Sequence, residues 1–131
     1  GLTFGRFNTG SDRGSKAWLA KYSTGGVLRW IREYSAGRGP SVLGLAANRA
    51  GEVLATGRSY WFSSSSGAFV TKYSSGGAFL RESLINSDDG ASAQAVAVDR
   101  TGNPYVVGYT SGDLGAPNKG RTDAFLAKFP R

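Results

Sequence analysis

Short, mostly apolar runs of six to eight residues recur along the chain, and turns rich in glycine separate them. Residues 16–22 (Lys-Ala-Trp-Leu-Ala-Lys-Tyr) and residues 53–59 (Val-Leu-Ala-Thr-Gly-Arg-Ser) are two such runs. Runs of this length, rich in β-branched and aromatic residues and bounded by glycine, are typical of β-strands joined by hairpin turns. The pattern therefore predicts an all-β fold of short antiparallel strands.

The runs form an internal repeat. Residues 16–22 recur as residues 67–73 (Gly-Ala-Phe-Val-Thr-Lys-Tyr) and as residues 123–129 (Asp-Ala-Phe-Leu-Ala-Lys-Phe), at spacings of 51 and then 56 residues. Residues 45–51 match residues 96–102 at the same spacing of 51. Self-similarity at a fixed spacing of tens of residues is the mark of a repeat architecture.

Each repeat is predicted to contain four strands, which we name A to D. Strand A covers 42–47 and 93–98, strand B 53–59 and 105–110, strand C the three matching segments above, and strand D 27–34 and 78–85. Strand A is rich in Gly and Ala, as expected of an innermost strand that crowds its counterparts around an axis. Strand C is apolar on both faces, as expected of a strand buried between two stacked sheets.

These features predict a β-propeller of four-stranded antiparallel blades, with residues 1–131 as part of one propeller domain. Residues 1–35 would end one blade, 41–86 would form a full blade, and 92–131 most of a third. About two and a half repeats fall short of the 4 to 8 blades of a closed propeller. We expect either a piece of a longer polypeptide or a ring completed by several copies. The third copy of strand C favours the first alternative, because in a ring it would duplicate the next subunit's first strand C.

The blocks at 123–129, 94–108 (Gln-Ala-Val-Ala-Val-Asp-Arg-Thr-Gly-Asn-Pro-Tyr-Val-Val-Gly) and 109–112 (Tyr-Thr-Ser-Gly) resemble the bacterial β-propeller repeat known as the SBBP repeat. The first copy departs from it at Asn48, Val53 and residues 58–61. The resemblance implies a bacterial extracellular or cell-envelope location. It implies no catalytic motif and supplies no functional residues.

Charge and composition narrow the function classes. The chain has 16 Lys and Arg against 9 Asp and Glu, a net charge of +7, which favours acidic partners or simply keeps the protein in solution. It has no Cys and no His, which excludes disulfides, thiol nucleophiles and the commonest general base. No apolar run approaches the roughly 20 residues of a membrane span.

Little in the sequence points to catalysis. There is no Gly-x-Ser-x-Gly elbow, and Asp88 and Asp89 form the one adjacent acidic pair. These two carboxylates could contribute to a Ca²⁺ site, but their spacing matches no complete metal loop, and a solvated turn is the favoured interpretation. We therefore predict a protein that is not an enzyme, with no catalytic, cofactor-binding or metal residues.

Cations recur at equivalent positions. Lys21, Lys72 and Lys128 stand at one position of strand C, where they could form a ring of charge or lay their stems on apolar surface. The arginines of strand D would protect an outer edge strand from pairing with other sheets. Nucleic acid is an unlikely partner, because few exposed aromatic residues interleave with the cations.

The B–C and D–A loops are predicted to emerge on one side of the blades, where loops of varying length commonly carry binding residues. The candidate contact residues for a partner or ligand are Arg38, Arg58, Tyr60, Trp61, Phe62, Lys119 and Arg121. A loop that buries its own aromatic residues is the alternative. The predicted function is a non-enzymatic scaffold that mediates protein–protein interaction on the bacterial surface or in an envelope assembly. A carbohydrate-binding module using Tyr60 and Trp61 is the second hypothesis, and a propeller hydrolase or lyase the third.

Overall fold

The computed structural model describes residues 2–3, 16–35, 38–62 and 65–130, and the regular elements in these ranges are all β-strands. In chain order the strands are β1 (Leu2–Thr3), β2 (Lys16–Tyr22), β3 (Leu28–Tyr34), β4 (Arg38–Ala47), β5 (Val53–Phe62), β6 (Ser65–Tyr73), β7 (Phe79–Ile85), β8 (Ala91–Val98), β9 (Pro104–Thr110) and β10 (Asp123–Lys128). Each pairs antiparallel with its neighbours. The expectation of an all-β chain of antiparallel strands is confirmed.

The strands form three sheets, each a simple meander. The first sheet has the order β1-β2-β3, the middle sheet β4-β5-β6-β7, and the third sheet β8-β9-β10. The middle sheet contains the four strands A to D that the sequence predicts for a full repeat. Tight turns with a glycine at positive φ join its first two and its last two strands, at Gly51 (φ 76°) and Gly77 (φ 83°).

The middle and third sheets share one irregularity, which shows that the repeat is structural. Strand β4 carries an extra residue at Leu43, and β8 carries one at Gln94, 51 residues later. Opposite each bulge stands a glycine. A Cβ on Gly57 would lie 1.8 Å from the carbonyl oxygen of Ser41, and one on Gly108 would lie 2.1 Å from its counterpart at Ser92. The bulge thus requires glycine at this position of strand B.

The three sheets stack face to face in chain order, and the cores lie between them. The face that a sheet turns toward the next sheet is called its forward face, and the opposite one its rear face. On the middle sheet the forward face carries Leu54, Ala68, Val70 and Ile85, and the rear face Ala55, Phe69 and Tyr73. Side chains one apart along a strand point to opposite faces, so the middle sheet is buried on both sides.

Two sets of contacts hold the stack. The forward face of the first sheet packs on the rear face of the middle sheet through Ala17, Leu19, Trp30 and Tyr34. The forward face of the middle sheet packs on the third sheet through Ala91, Ala93, Val106 and Phe125. A Cβ on Gly44 would lie 2.9 Å from the Cα of Ala95, so β4 and β8 approach at backbone contact. This close approach explains the small residues of strand A.

The B–C connection of the middle sheet is shorter than expected. Strand β5 continues to Phe62 and β6 begins at Ser65, with Tyr60 opposite Ser66 and Phe62 opposite Ser65. Aromatic residues have high strand propensity, and here they extend the ladder beyond Ser59. Residues 60–62, predicted to lie in the loop after strand B, therefore lie on a strand. The serines at 63 and 64 lie outside the described residues.

Candidate functional site

The predicted contact residues fall into two groups. In the middle sheet, Arg38 on β4 lies directly opposite Tyr60 on β5, and both are exposed, while Arg58 is half-buried. Trp61 and Phe62 stand at the end of β5, and their side chains lie outside the described residues. Lys119 and Arg121 are exposed on the segment that joins β9 to β10 in the third sheet.

The connection between β9 and β10 is ordered by its own polar groups. The Asn118 N–H donates to Asp113 Oδ1 at 2.8 Å, and the Lys119 N–H donates to Asp123 Oδ2 at 2.8 Å. The Ser111 N–H donates to the carbonyl of Gly90 at 2.9 Å. This last bond joins the B–C connection of the third sheet to the D–A connection between β7 and β8. The two kinds of connection therefore emerge on the same side, as predicted.

Asp88 and Asp89 lie in that D–A connection, and both are exposed. The segment is packed tightly, because a Cβ on Gly112 would lie 2.6 Å from the Asp89 nitrogen. Within the described ranges, no cluster of three or more acidic side chains could hold a metal ion. The calcium site considered from the sequence stays an untested prediction.

The repeated lysines are engaged in structural contacts. The Nζ of Lys72 lies 2.8 Å from Glu52 Oε2, and that of Lys128 lies 4.0 Å from Asp99 Oδ2, each in the A–B turn of its own sheet. In the first sheet, the Nζ of Lys21 instead donates to the carbonyl of Ser75 at 3.0 Å, in the C–D turn of the middle sheet. These lysines therefore tie strand C to neighbouring turns.

Strand D of the first sheet also reaches the C–D turn of the next sheet. The indole Nε1 of Trp30 donates to the carbonyl of Ser75 at 3.1 Å, and Arg32 Nε donates to that of Gly77 at 2.6 Å. A Cβ on Gly77 would lie 2.7 Å from the indole ring. Trp30 is thus a buried packing residue between two sheets and offers no face to a ligand.

Tyr34 joins the first and middle sheets through a part-buried contact between its phenol and a carboxylate. Its hydroxyl donates to Glu82 Oε1 on the middle sheet, and its ring lies 4.4 Å from that of Phe69. Burial, followed by the hydrogen bond to Glu82, raises the pKa of Tyr34 far above its ordinary value. The phenol therefore stays protonated and acts as a donor that fixes the alignment of the two sheets.

The A–B turns of the middle and third sheets have matching hydrogen bonds that sequence analysis missed. Asn48 Oδ1 accepts the N–H groups of Ala50 and Glu52, both at 3.0 Å. Asp99 Oδ1 accepts the N–H groups of Thr101 and Asn103, both at 2.9 Å. The signal was present in the repeated pattern of Asn or Asp, then Arg, any residue and Gly. Such side-chain bonds to the backbone two and four residues on form a rigid turn.

Asp99 differs from Asn48 in its charge. Hydrogen bonds from the side chains of Asn103 and Thr101, together with their backbone N–H groups, lower the pKa of Asp99 well below its ordinary range. In the middle sheet the amide and the carboxylate exchange places, since Asn48 Nδ2 donates to Glu52 Oε2 at 2.6 Å. Each turn thus contains one charged carboxylate that accepts hydrogen bonds from groups of the same turn.

The outer faces of the first and third sheets expose side chains whose equivalents in the middle sheet are buried. On the forward face of the third sheet, Leu126 is 69% exposed and Val107 is 43% exposed. Their equivalents on the middle sheet, Val70 and Thr56, are 6% and 0% exposed. On the rear face of the first sheet Tyr22 is 58% exposed, against 2% for its equivalent Tyr73. The two outer faces therefore expose large apolar side chains at positions that are buried inside the stack.

No protein-family model matches the chain, and no curated protein matches it. Among the described residues there is no helix that could cross a lipid bilayer.

Proposed function

We propose that this chain is a segment of a β-propeller that serves as a non-enzymatic scaffold. The observation that carries the proposal is the contrast between equivalent side chains that are buried inside the stack and exposed at its ends. Each sheet uses the same forward and rear faces, and each interface joins a forward face to a rear face. The SBBP resemblance supports the propeller, and with it a location outside the cell or in the envelope.

The third sheet offers the forward face that a further sheet would cover. Leu126 and Val107 are opposite each other in the β9–β10 ladder, so they form one apolar strip. Full burial of a Leu or Val side chain contributes roughly 1.5–3 kcal/mol. In the isolated chain, the occupant we propose is the rear face of a second copy, which takes the position that a further repeat would fill. Tyr22 would then lie where Tyr73 lies inside the stack. Such head-to-tail contacts produce closed rings or open filaments, according to the angle between successive units.

The edge that carries the B–C and D–A connections is the proposed contact surface for a protein partner. Arg38, Arg58 and Tyr60 belong to the middle sheet, and Lys119 and Arg121 to the third, all placed by the rigid sheets beneath them. Arginine and tyrosine are enriched at protein interfaces because each combines a large contact area with hydrogen-bonding groups. This surface is proposed to bind acidic protein segments while the sheet faces assemble the scaffold.

The assembly is tested with the variant Leu126→Arg. We expect the weight-average mass of the wild-type chain, followed by sedimentation from micromolar to millimolar concentration, to rise above that of the monomer. A guanidinium at position 126 places a charge in the centre of the apolar strip, so the variant should stay monomeric over the same range.

The matched control is Leu80→Arg on β7. Leu80 is also an exposed leucine, and the first repeat has Arg29 at the equivalent position, so the substitution is compatible with the fold. Leu80→Arg should associate like the wild type. A wild-type chain that is monomeric at millimolar concentration, or equal association of Leu126→Arg and wild type, would overturn the proposal.

A further inference from the structure

A cleft separates the A–B turns of the middle and third sheets. Its volume is about 340 Å³, and its walls come from residues 48–52 of one turn and 99–102 of the other. Both walls are rigid, since Asn48 and Asp99 each close their turn with backbone hydrogen bonds. The cleft lies on the side opposite the B–C and D–A connections, so it is separate from the contact surface proposed above.

The acidic groups of this cleft are already compensated. Glu52 has Lys72 and the amide of Asn48 as partners. Asp99 accepts hydrogen bonds from Thr101 and Asn103, with Lys128 at the edge of ion-pair distance. Each turn thus contributes one carboxylate together with one ammonium group from strand C, and these charges cancel within the turn.

Two arginines of the cleft have no such compensation. Arg49 and Arg100 occupy the same position in their repeats, and both are exposed. Within the described part of the chain, neither guanidinium has a hydrogen bond or an ion pair. The stacking of the sheets thus brings two like charges, 51 residues apart in the chain, to the walls of one cleft. Two like charges on the walls of one cleft attract an anion that lies between them.

We propose that this cleft binds an oxyanion of the phosphate or sulfate type, held by Arg49 from one sheet and Arg100 from the next. Guanidinium groups suit such anions, because their planar N–H forks donate paired hydrogen bonds to tetrahedral oxygens. The site requires two adjacent sheets, so it forms only where two repeats that carry this arginine stack on each other. The proposal does not depend on the scaffold function and adds a ligand site to the opposite side of the molecule.

The experiment is an NMR titration of the ¹⁵N-labelled chain with inorganic phosphate and, separately, with inorganic sulfate. Ionic strength is held constant with sodium chloride, so that general screening by the net charge of +7 is the same at every point. We expect saturable shifts of the amide signals of both turns and of the arginine Nε–Hε signals. Saturation by one anion alone supports the site and identifies which of the two anions it prefers.

Arg49→Gln and Arg100→Gln should each weaken binding about tenfold, the loss expected when one charge-assisted contact is removed. Arg29→Gln is the control, because it removes the same charge from an exposed arginine on β3, which does not line the cleft. Binding by Arg29→Gln should stay within about twofold of wild type, the level expected when only a remote charge is lost. Shifts that grow linearly without saturation, or equal weakening by all three variants, would overturn the proposal.

Discussion

The middle sheet and the third sheet share strands A to C, the bulge in strand A and the A–B turn, yet they differ in what covers them. The middle sheet is buried on both faces, whereas the third sheet is buried only on its rear face. Side chains at equivalent positions, such as Val70 and Leu126, therefore have opposite environments. The comparison shows that a repeat of this kind does not bury itself. Its core is made by its neighbours.

This dependence has a thermodynamic consequence. In stacked repeats the stability is approximately the sum of a contribution from each unit and one from each interface. A residue of the middle sheet that faces a covered side contributes to an interface, while its equivalent on an open side contributes almost nothing. The same substitution in two repeats should therefore have unequal effects, which can be measured.

The largest difference is expected at the aromatic residue of strand C. Phe69 is fully buried against Tyr34 between the first two sheets, and its equivalent Phe125 is only partly buried against the middle sheet. Phe69→Ala should lower the free energy of unfolding by about 3–5 kcal/mol, because it removes a ring and leaves a cavity. Phe125→Ala should cost roughly half as much, since solvent already reaches part of the ring.

Urea denaturation followed by tryptophan fluorescence measures both values. Phe69→Leu serves as a second variant that keeps most of the volume, in case Phe69→Ala does not fold. Equal losses for Phe69→Ala and Phe125→Ala would show that the rear faces of the middle and third sheets are equally well packed, contrary to the unequal burial of the two rings.

Much of this fold is predictable from the sequence. The period of the repeat, the positions of β4 to β7 and the glycine turns follow from alternation and from residues that tolerate positive φ. The structural engagement of Lys21, Lys72 and Lys128 was one of two readings of a repeated position, and the ion pairs and hydrogen bonds favour it. These features are local, or they repeat at a fixed spacing, so one chain contains enough information.

Other features depend on distances that sequence alone does not contain. Residues 60–62 extend β5 because β6 pairs with this segment, and a partner strand cannot be inferred from the propensity of one segment. Arg49 and Arg100 share a cleft only because the sheets stack at a particular angle. Likewise, nothing in Leu126 itself distinguishes an exposed position from the buried one at Val70.

The A–B turns of the middle and third sheets differ in the charge of their first residue, which is Asn48 in one and Asp99 in the other. The folded-state pKa of Asp99 is lowered, so its contribution to stability is complete above the ordinary value of 3.8 and is lost as the pH falls below it. Asp99→Asn keeps the Oδ1 acceptor, as Asn48 does in the middle sheet, and should be less sensitive to acid. The measurement is the free energy of unfolding from neutral pH to well below 3.8.

Asp89→Asn is the matched control, because this exposed aspartate lies in the connection between β7 and β8 and, among the described residues, its carboxylate accepts no N–H of the turn. It should retain the pH dependence of the wild type. If Asp99→Asn also retained that dependence in full, the hydrogen bonds to the Asp99 carboxylate would be unimportant for stability in acid.

The smallest effect on the free energy of unfolding is expected at the lysines of strand C. It should again differ between the middle sheet and the third sheet. The pair of Lys72 and Glu52 is short and largely shielded from solvent, whereas Lys128 is half exposed and lies 4.0 Å from Asp99. Lys72→Met keeps the aliphatic stem and removes the charge, and should cost about 1 kcal/mol, the upper end for ion pairs near a surface. Lys128→Met should lower the free energy of unfolding by less, because solvent screens its charge.

Added salt should reduce the loss for Lys128→Met first, since exposed pairs are screened more than shielded ones. If both variants lost the same free energy of unfolding with the same salt dependence, the A–B turn of the middle sheet would be no better shielded from solvent than that of the third sheet.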